Sequence, residues 1–301
     1  MKRRDFIQTT SAAGLFVGLG GLSSLSFQSP GKHLTILHTN DVHSHIEPFG
    51  PNDGRNANMG GVARRAALIE KIRQENPNTL LLDAGDIFQG TPYFNFYGGE
   101  LEFKLMSKMR YDAATIGNHD FDNGIDGLYA QLPHASFDFI CSNYDFSNTV
   151  MDGHTKDHKI FNKDGIKIGV FGLGVELQGL VNQKLYKETK YLDPVEIATD
   201  MASKLKNEEK CDLVIALSHM GYDYKNSTIS DVKLAQKTNN IDLIIGGHTH
   251  TFLDRPTVLK NKSGKNVIVN QVGCYGLYLG RLDYYFDEEQ NLKTKGYSIQ
   301  V

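Results

Sequence analysis

Five short segments of this 301-residue chain carry Asp, Asn and His in a fixed order. They are Asp41-Val42-His43, Gly85-Asp86, Gly117-Asn118-His119-Asp120, Ser218-His219 and Gly246-Gly247-His248-Thr249-His250. Carboxylate and imidazole suit borderline divalent ions, a carboxylate can bridge two of them, and Asn adds a neutral oxygen. Asp41 and His43 can bind one ion from an extended loop with Val42 turned inward, and His250 can return to that ion. Asp86 stands alone, as a bridging ligand would, while Asn118, His219 and His248 can complete a second ion. Two ions about 3.5–4 Å apart activate a water and clamp both the attacking and leaving oxygens of an in-line displacement at phosphorus. His119 adjoins Asn118, so the two cannot easily face the same ion. That frees His119 to protonate a leaving oxygen, with Asp122 holding the imidazole in the needed tautomer.

Any one of these segments alone reads more simply as a helix cap, a turn or a satisfied polar group; the weight lies in their agreement. Each directly follows an apolar run: residues 34–37, 79–82, 113–116, 213–217 and 241–245. Short apolar runs bounded by Gly, Asn and Asp read as buried strands. In layered α/β folds ligands bind just beyond the carboxyl ends of the strands. All five segments are therefore expected on one rim. His33, His38, His134, His154 and His158 have no such setting and read as ordinary; His45 and Glu47 lie close to the first segment but are not expected to be ligands.

Between the strands, Val62, Ala66, Ile69 and Ile72 recur at helical spacing, and Asn76-Pro77 stops that helix. Asp193-Pro194-Val195-Glu196 opens another, with a capping Asp, Pro in the first turn and a buried stripe of Ile197, Met201 and Leu205. Asn162 to Gly165 joins two runs as a hairpin. From Asn266 onward the pattern is all-β, with strands at 267–269, at 278–286 and near 297–301. One α/β domain with a central mixed sheet accounts for residues 33–301.

Hydrophobic content of 40%, charged content of 22% and a net charge of -3 suit a globular protein and exclude a nucleic-acid footprint. Lys2-Arg3-Arg4-Asp5-Phe6-Ile7 precedes a Gly-rich apolar stretch from Ala12 to Leu25. That order is a secretory signal pattern, and Arg3-Arg4 followed by Phe6 resembles a twin-arginine export signal. Residues 1–26 are accordingly expected to be a cleaved signal directing the chain to the periplasm or cell envelope. Gly18, Gly20, Gly21 and Ser23 dilute the stretch too far for a transmembrane anchor. Cys141, Cys211 and Cys274 form no CxxC and no disulfide framework; Cys141 and Cys211 end apolar runs and read as buried thiols.

The segments at 37–45, 83–86, 117–122, 217–221 and 246–250 together resemble the calcineurin-like metallophosphoesterases. More closely, they resemble the N-terminal catalytic domain of bacterial periplasmic 5'-nucleotidases. The resemblance covers roughly residues 33–285. It implies a four-layer α/β/β/α sandwich. It makes Asp41, His43, Asp86 and His250 ligands of one metal, Asp86, Asn118, His219 and His248 ligands of the other, and His119 with Asp122 the catalytic pair. Two departures stand out. His250 occupies a position where close nucleotidase relatives carry Gln, and those nucleotidases continue into a second domain that stacks the nucleobase between aromatics and supplies arginines to the phosphate.

The reading is an exported hydrolase of phosphomonoesters, 5'-nucleotides first, using two divalent ions (Zn, Mn or Fe), with Asn118 and His119 also touching the phosphoester. A separate partner supplying the substrate-binding domain is expected. The alternatives are a cyclic-nucleotide phosphodiesterase or nucleotide-sugar pyrophosphohydrolase, and a non-catalytic metal-binding envelope subunit. The His119–Asp122 pair argues against the last, since a metal holder needs neither residue.

Overall fold

The computed structural model describes residues 31–287 and 292–301. The expected export signal over residues 1–26 lies outside the described residues. Among them the chain runs β1 (Lys32–Thr39), α1 (Val62–Glu75), β2 (Thr79–Asp83), α2 (Pro92–Tyr97), α3 (Glu100–Lys108) and β3 (Ala113–Ala114). Next come α4 (Gly124–Gln131), β4 (Asp138–Phe139), β5 (Tyr144–Asp145), β6 (His158–Lys163), β7 (Ile166–Leu173), α5 (Gln183–Tyr186), β8 (Lys190–Tyr191) and α6 (Pro194–Ser203). The last part holds β9 (Leu213–Ser218), α7 (Asp231–Lys237), β10 (Leu243–Gly246), β11 (Thr257–Lys260), β12 (Asn266–Asn270), β13 (Tyr278–Phe286) and β14 (Leu292–Gln300).

The strands form two six-stranded sheets, in the orders β14-β13-β1-β2-β3-β4 and β11-β12-β10-β9-β7-β6, in place of the single mixed sheet expected from the pattern alone. In the first sheet β1 to β4 are parallel; in the second β7, β9, β10 and β12 are parallel. Period-two alternation sorts the apolar side chains into three cores. Leu34 and Ile36 of β1, Leu80 and Leu82 of β2, Leu213, Ile215 and Leu217 of β9, and Leu243 and Ile245 of β10 fill the space between the sheets. Leu37 and Leu81 point the other way, onto Ile69 and Ile72 of α1 and Phe103 and Met106 of α3. Val214, Ala216 and Ile244 point outward onto Ala198 and Ala202 of α6 and Leu234 and Ala235 of α7. The result is four layers, helix–sheet–sheet–helix. Each fully buried Leu or Ile contributes about 1.5–3 kcal/mol to holding them.

Several local expectations shift. Asp193 caps α6 through the amides of Val195 and Glu196, but the buried face is Pro194, Ala198 and Ala202, with Ile197 and Met201 flanking it. Small residues let the helix lie close on the second sheet. The run at 113–116 pairs over only two residues, and the terminal strand begins earlier, at Leu292. In α1 the buried stripe takes in Arg65 where Ala66 was expected. The 158–173 hairpin forms around Asp164-Gly165, both left-handed, with Asn162 accepting from the Gly165 amide. Cys141, Cys211 and Cys274 are all free and buried.

Candidate metal centre

The parallel strands of both sheets end at one rim. Asp41 and His43 follow β1, Asp86 follows β2, Asn118 and His119 follow β3, His219 follows β9, and His248 and His250 follow β10. The loop after β1 is not extended as expected: Asp41 (φ 50°), His43 (φ 47°) and Ser44 (φ 56°) are all left-handed, and Val42 is buried between them. The loops after β1 and β2 bind each other, with the amides of Asp41, His43 and Ser44 donating to the carbonyls of Gly85, Asp86 and Ile87. Gly85 also lets the loop after β3 come close, since a Cβ there would fall 2.6 Å from the Gly117 nitrogen.

Two groups of side chains converge so closely that each could hold a metal ion: Asp41, His43 and His250, and Asp86, His219 and His248. Asp86 Oδ2 lies between them, 3.1 Å from His219 Nε2 and 3.7 Å from His43 Nε2. Asn118 joins the second group through Oδ1, 2.7 Å from His248 Nδ1. The protein-only contacts leave this arrangement incomplete. His219 Nε2 is buried with only the Asp86 carboxylate before it, and no well-aligned hydrogen bond satisfies it. The Nε2 atoms of His43 and His250 face each other at 2.9 Å, where two lone pairs repel unless a proton or a cation lies between. Backbone carbonyls fix the tautomers: Nδ1–H of His219 donates to Ala84 and that of His43 to Phe88, which turns both Nε2 lone pairs into the centre. These donors fit a pair of divalent ions.

Charge is distributed unevenly. Burial would lower His219, but the charges of Asp86 and Asp41 and a hydrogen bond to Asp86 push it up to about 10. His250 is also raised to about 10, first by its bond to Asp41. Burial pulls His248 down to about 4 and lowers His43. Burial would raise Asp86, yet His219 and its neighbours hold it far below the carboxylate range. Beside both groups, His119 Nδ1 pairs with Asp122 Oδ2 at 2.9 Å, and this bond holds the imidazole above its ordinary value. Its ring stands 5.3 Å from that of His43, and its backbone amide donates to Asp86 Oδ1 at 2.8 Å. All nine residues singled out in the sequence thus meet at this rim.

Residues 34–252 match the model of the calcineurin-like phosphoesterase family. The chain belongs to that family. It is 36% identical over 299 residues to the snake venom 5'-nucleotidase of Crotalus adamanteus, a match covering 92% of this chain and 49% of that protein. The crystal structure of a 5'-nucleotidase precursor from Thermus thermophilus superposes with a TM-score of 0.81 at 34% identity, covering 90% of this chain and 55% of that one. The NAD nucleotidase of Haemophilus influenzae gives a TM-score of 0.80 at 29% identity, covering 90% and 56%. The chain therefore spans about half the length of these relatives.

In this calcineurin-like phosphoesterase a second layer of polar groups lies under the rim, and sequence reasoning assigned it no part. Asp120 is fully buried and accepts from the amides of Asp86, Ile87, Phe88 and Gly117. Asn40 donates to Asp41 and to the Gly273 carbonyl and accepts from the Val272 amide. Gln271 donates to the Gly247 carbonyl and accepts from the Thr251 amide, bracing the segment that carries His248 and His250. Asp83 accepts from Thr39 and from the Gly85 amide. Asp120 could have been flagged from its place inside Gly117-Asn118-His119-Asp120; Asn40 and Gln271 carry no local signal. Of the histidines read as ordinary, His38 is fully buried against Asn270, and burial drives it down to about 3. His45 lies outside both converging groups.

Proposed function

We propose that the protein hydrolyses phosphomonoesters, 5'-nucleotides foremost, with two divalent ions at this rim. The observation that carries the reading is the placement of the His119–Asp122 pair beside the two converging ligand groups and outside both. Asp41, His43, Asp86 and His250 would hold one ion, and Asp86, Asn118, His219 and His248 the other. Such ions would supply positive charge at the phosphoryl oxygens and a water acidic enough to attack phosphorus at neutral pH. The rest is work for the chain itself. Asp122 fixes the His119 proton on Nδ1 and, by favouring the cation, leaves Nε2–H free to protonate the departing alkoxide. The side chain of His119 is 38% exposed, so a substrate can reach it. The amide bond from His119 to Asp86 keeps acid and ligand in one frame.

Zn, Mn and Fe all suit this donor set. Work outside the cytoplasm, in the cell envelope, is supported by the Arg3-Arg4 pattern and by a relative that is a venom protein. No helix among the described residues is long and apolar enough to cross a membrane. Similarity to an NAD nucleotidase favours a second reading, cleavage of a dinucleotide pyrophosphate. Metal-reconstituted protein assayed side by side on nucleoside monophosphates, cyclic nucleotides and NAD tests the proposal. Turnover of monophosphates at least tenfold above the others supports it, and turnover of NAD alone replaces it with the second reading.

A further inference from the structure

The loop after β1 and the loop before β13 bring three aromatic rings together at the edge of the rim. His45 stacks on Phe49 with centroids 5.1 Å apart and planes 16° from parallel. Tyr275 lies 4.3 Å from His45 and 6.0 Å from Phe49. The same Tyr275 ring is 5.8 Å from His250 and 5.9 Å from His43, so it adjoins the candidate ligands directly. All three rings are half-buried, which leaves part of each surface to solvent.

Tyr275 is held at φ 62°, and its amide donates to the Asp41 carbonyl at 2.7 Å. Glycine or asparagine would adopt this backbone with less strain. The neighbouring Gly273 and Gly276 do so. His45 is fixed as well, since its Nδ1 pairs with the His43 carbonyl at 2.9 Å. The cluster is therefore a pre-formed surface whose position is set by the ligand-bearing loop.

We propose that His45, Phe49 and Tyr275 form a shelf on which the nucleobase of the substrate stacks, giving the catalytic domain a base-binding subsite of its own. The inference rests on the reading of the substrate as a nucleotide. In a 5'-nucleotide the base lies one sugar ring away from the phosphate, the scale of the His250–Tyr275 separation. Phosphate contacts alone cannot separate one leaving group from another, whereas a π-face can, and it accepts any base.

Two measurements test the shelf on wild type, Tyr275→Phe and Tyr275→Asn, the last chosen because Asn tolerates the left-handed backbone. The first is binding of adenosine, which has the base but no phosphate, followed by NMR with metal content checked alongside. The second is kcat/KM for AMP and for ribose 5-phosphate, which lacks the base. Adenosine should bind wild type and Tyr275→Phe and bind Tyr275→Asn more weakly. The AMP to ribose 5-phosphate ratio of kcat/KM should fall about 5- to 100-fold in Tyr275→Asn, chiefly through KM, the worth of one stacked base. The shelf is overturned if adenosine fails to bind wild type, if Tyr275→Asn leaves its binding unchanged, if both esters suffer equally, or if the variant loses metal. A wild type that binds adenosine through Tyr275 yet hydrolyses neither ester would overturn the proposed hydrolysis and support the shelf.

Discussion

The rim and the layer just beneath it are both polar and largely buried, yet they treat charge in opposite ways. On the rim, ligand atoms crowd against one another: His219 Nε2 faces only the Asp86 carboxylate, and the Nε2 atoms of His43 and His250 meet head on. Beneath it, Asp120 satisfies four backbone amides, and Asn40 and Gln271 each use both ends of their amide groups. An unmatched buried polar group costs about 1–3 kcal/mol, so a frustrated rim persists only on a satisfied foundation. Incomplete hydrogen bonding in the upper layer is what makes it receptive to cations; completeness in the lower one is what keeps it in place.

That contrast can be broken most directly at Asp86, which lies between the two ligand groups. Asp86→Ala should strip both ions, with elemental analysis falling from about two metals per chain toward none and activity falling by about 10³-fold or more, the several kcal/mol that metal charge supplies. An unchanged single ion in both proteins would defeat the paired-ion reading. His119→Ala should act differently, keeping both metals while kcat drops about 10²–10⁴-fold. The loss should shrink for nitrophenyl phosphate, whose leaving group needs no proton; equal losses on good and poor leaving groups would remove the acid role. In the lower layer, Asp120→Ala removes no candidate ligand atom, only the acceptor of the Asp86, Ile87, Phe88 and Gly117 amides, and metal affinity should weaken about 10–100-fold, as for other groups that orient ligands. Titration with a competing chelator reads this out, and wild-type affinity in the variant would detach the foundation from the rim.

The smallest effect concerns pH and Asp83. Burial raises its carboxyl to about 7, above the unfolded value, against the hydrogen bonds from Thr39 and Gly85. The folded state therefore binds the proton more tightly, and its contribution to stability is present at about pH 4 and lost as pH rises through about 7. Asp83→Asn cannot ionise, so the Tm of the variant relative to wild type should rise between pH 5 and pH 8, by no more than about 1.4 kcal/mol per pH unit in stability terms. A Tm difference independent of pH would mean Asp83 is not the titrating group.

The rim residues were legible in the sequence because their signal is local, an apolar run ending in Asp, Asn or His. The foundation was not, because its bonds join distant parts of the chain: Asn40 reaches residues 272–273, and Asp120 serves a loop more than thirty positions earlier. Division of the strands into two sheets was legible only through the family resemblance, since β1 and β9 show the same alternation and nothing in it says which strands pair. Along α6 and just past it, Leu205 is buried as its apolar stripe predicts, but the packing favours the small Ala198 and Ala202 over Ile197 and Met201. The left-handed turns at Asp41 and His43 had no glycine to announce them.

Those turns carry a thermodynamic consequence. Asp41, His43, Asp86, His248, His250 and Tyr275 all sit at positive φ, and each such residue costs about 1 kcal/mol or more of backbone energy. Against a folding free energy of about 5–15 kcal/mol for a typical domain, that is a large fraction spent on one edge of the molecule. Ions that bind only the folded chain restore stability in proportion to the logarithm of their concentration. Metal supply would then govern how long the protein survives as well as how fast it turns over. Chains starved of their ions would open more often and be cleared by proteases first, so that abundance itself becomes a gauge of metal in the compartment where the protein works.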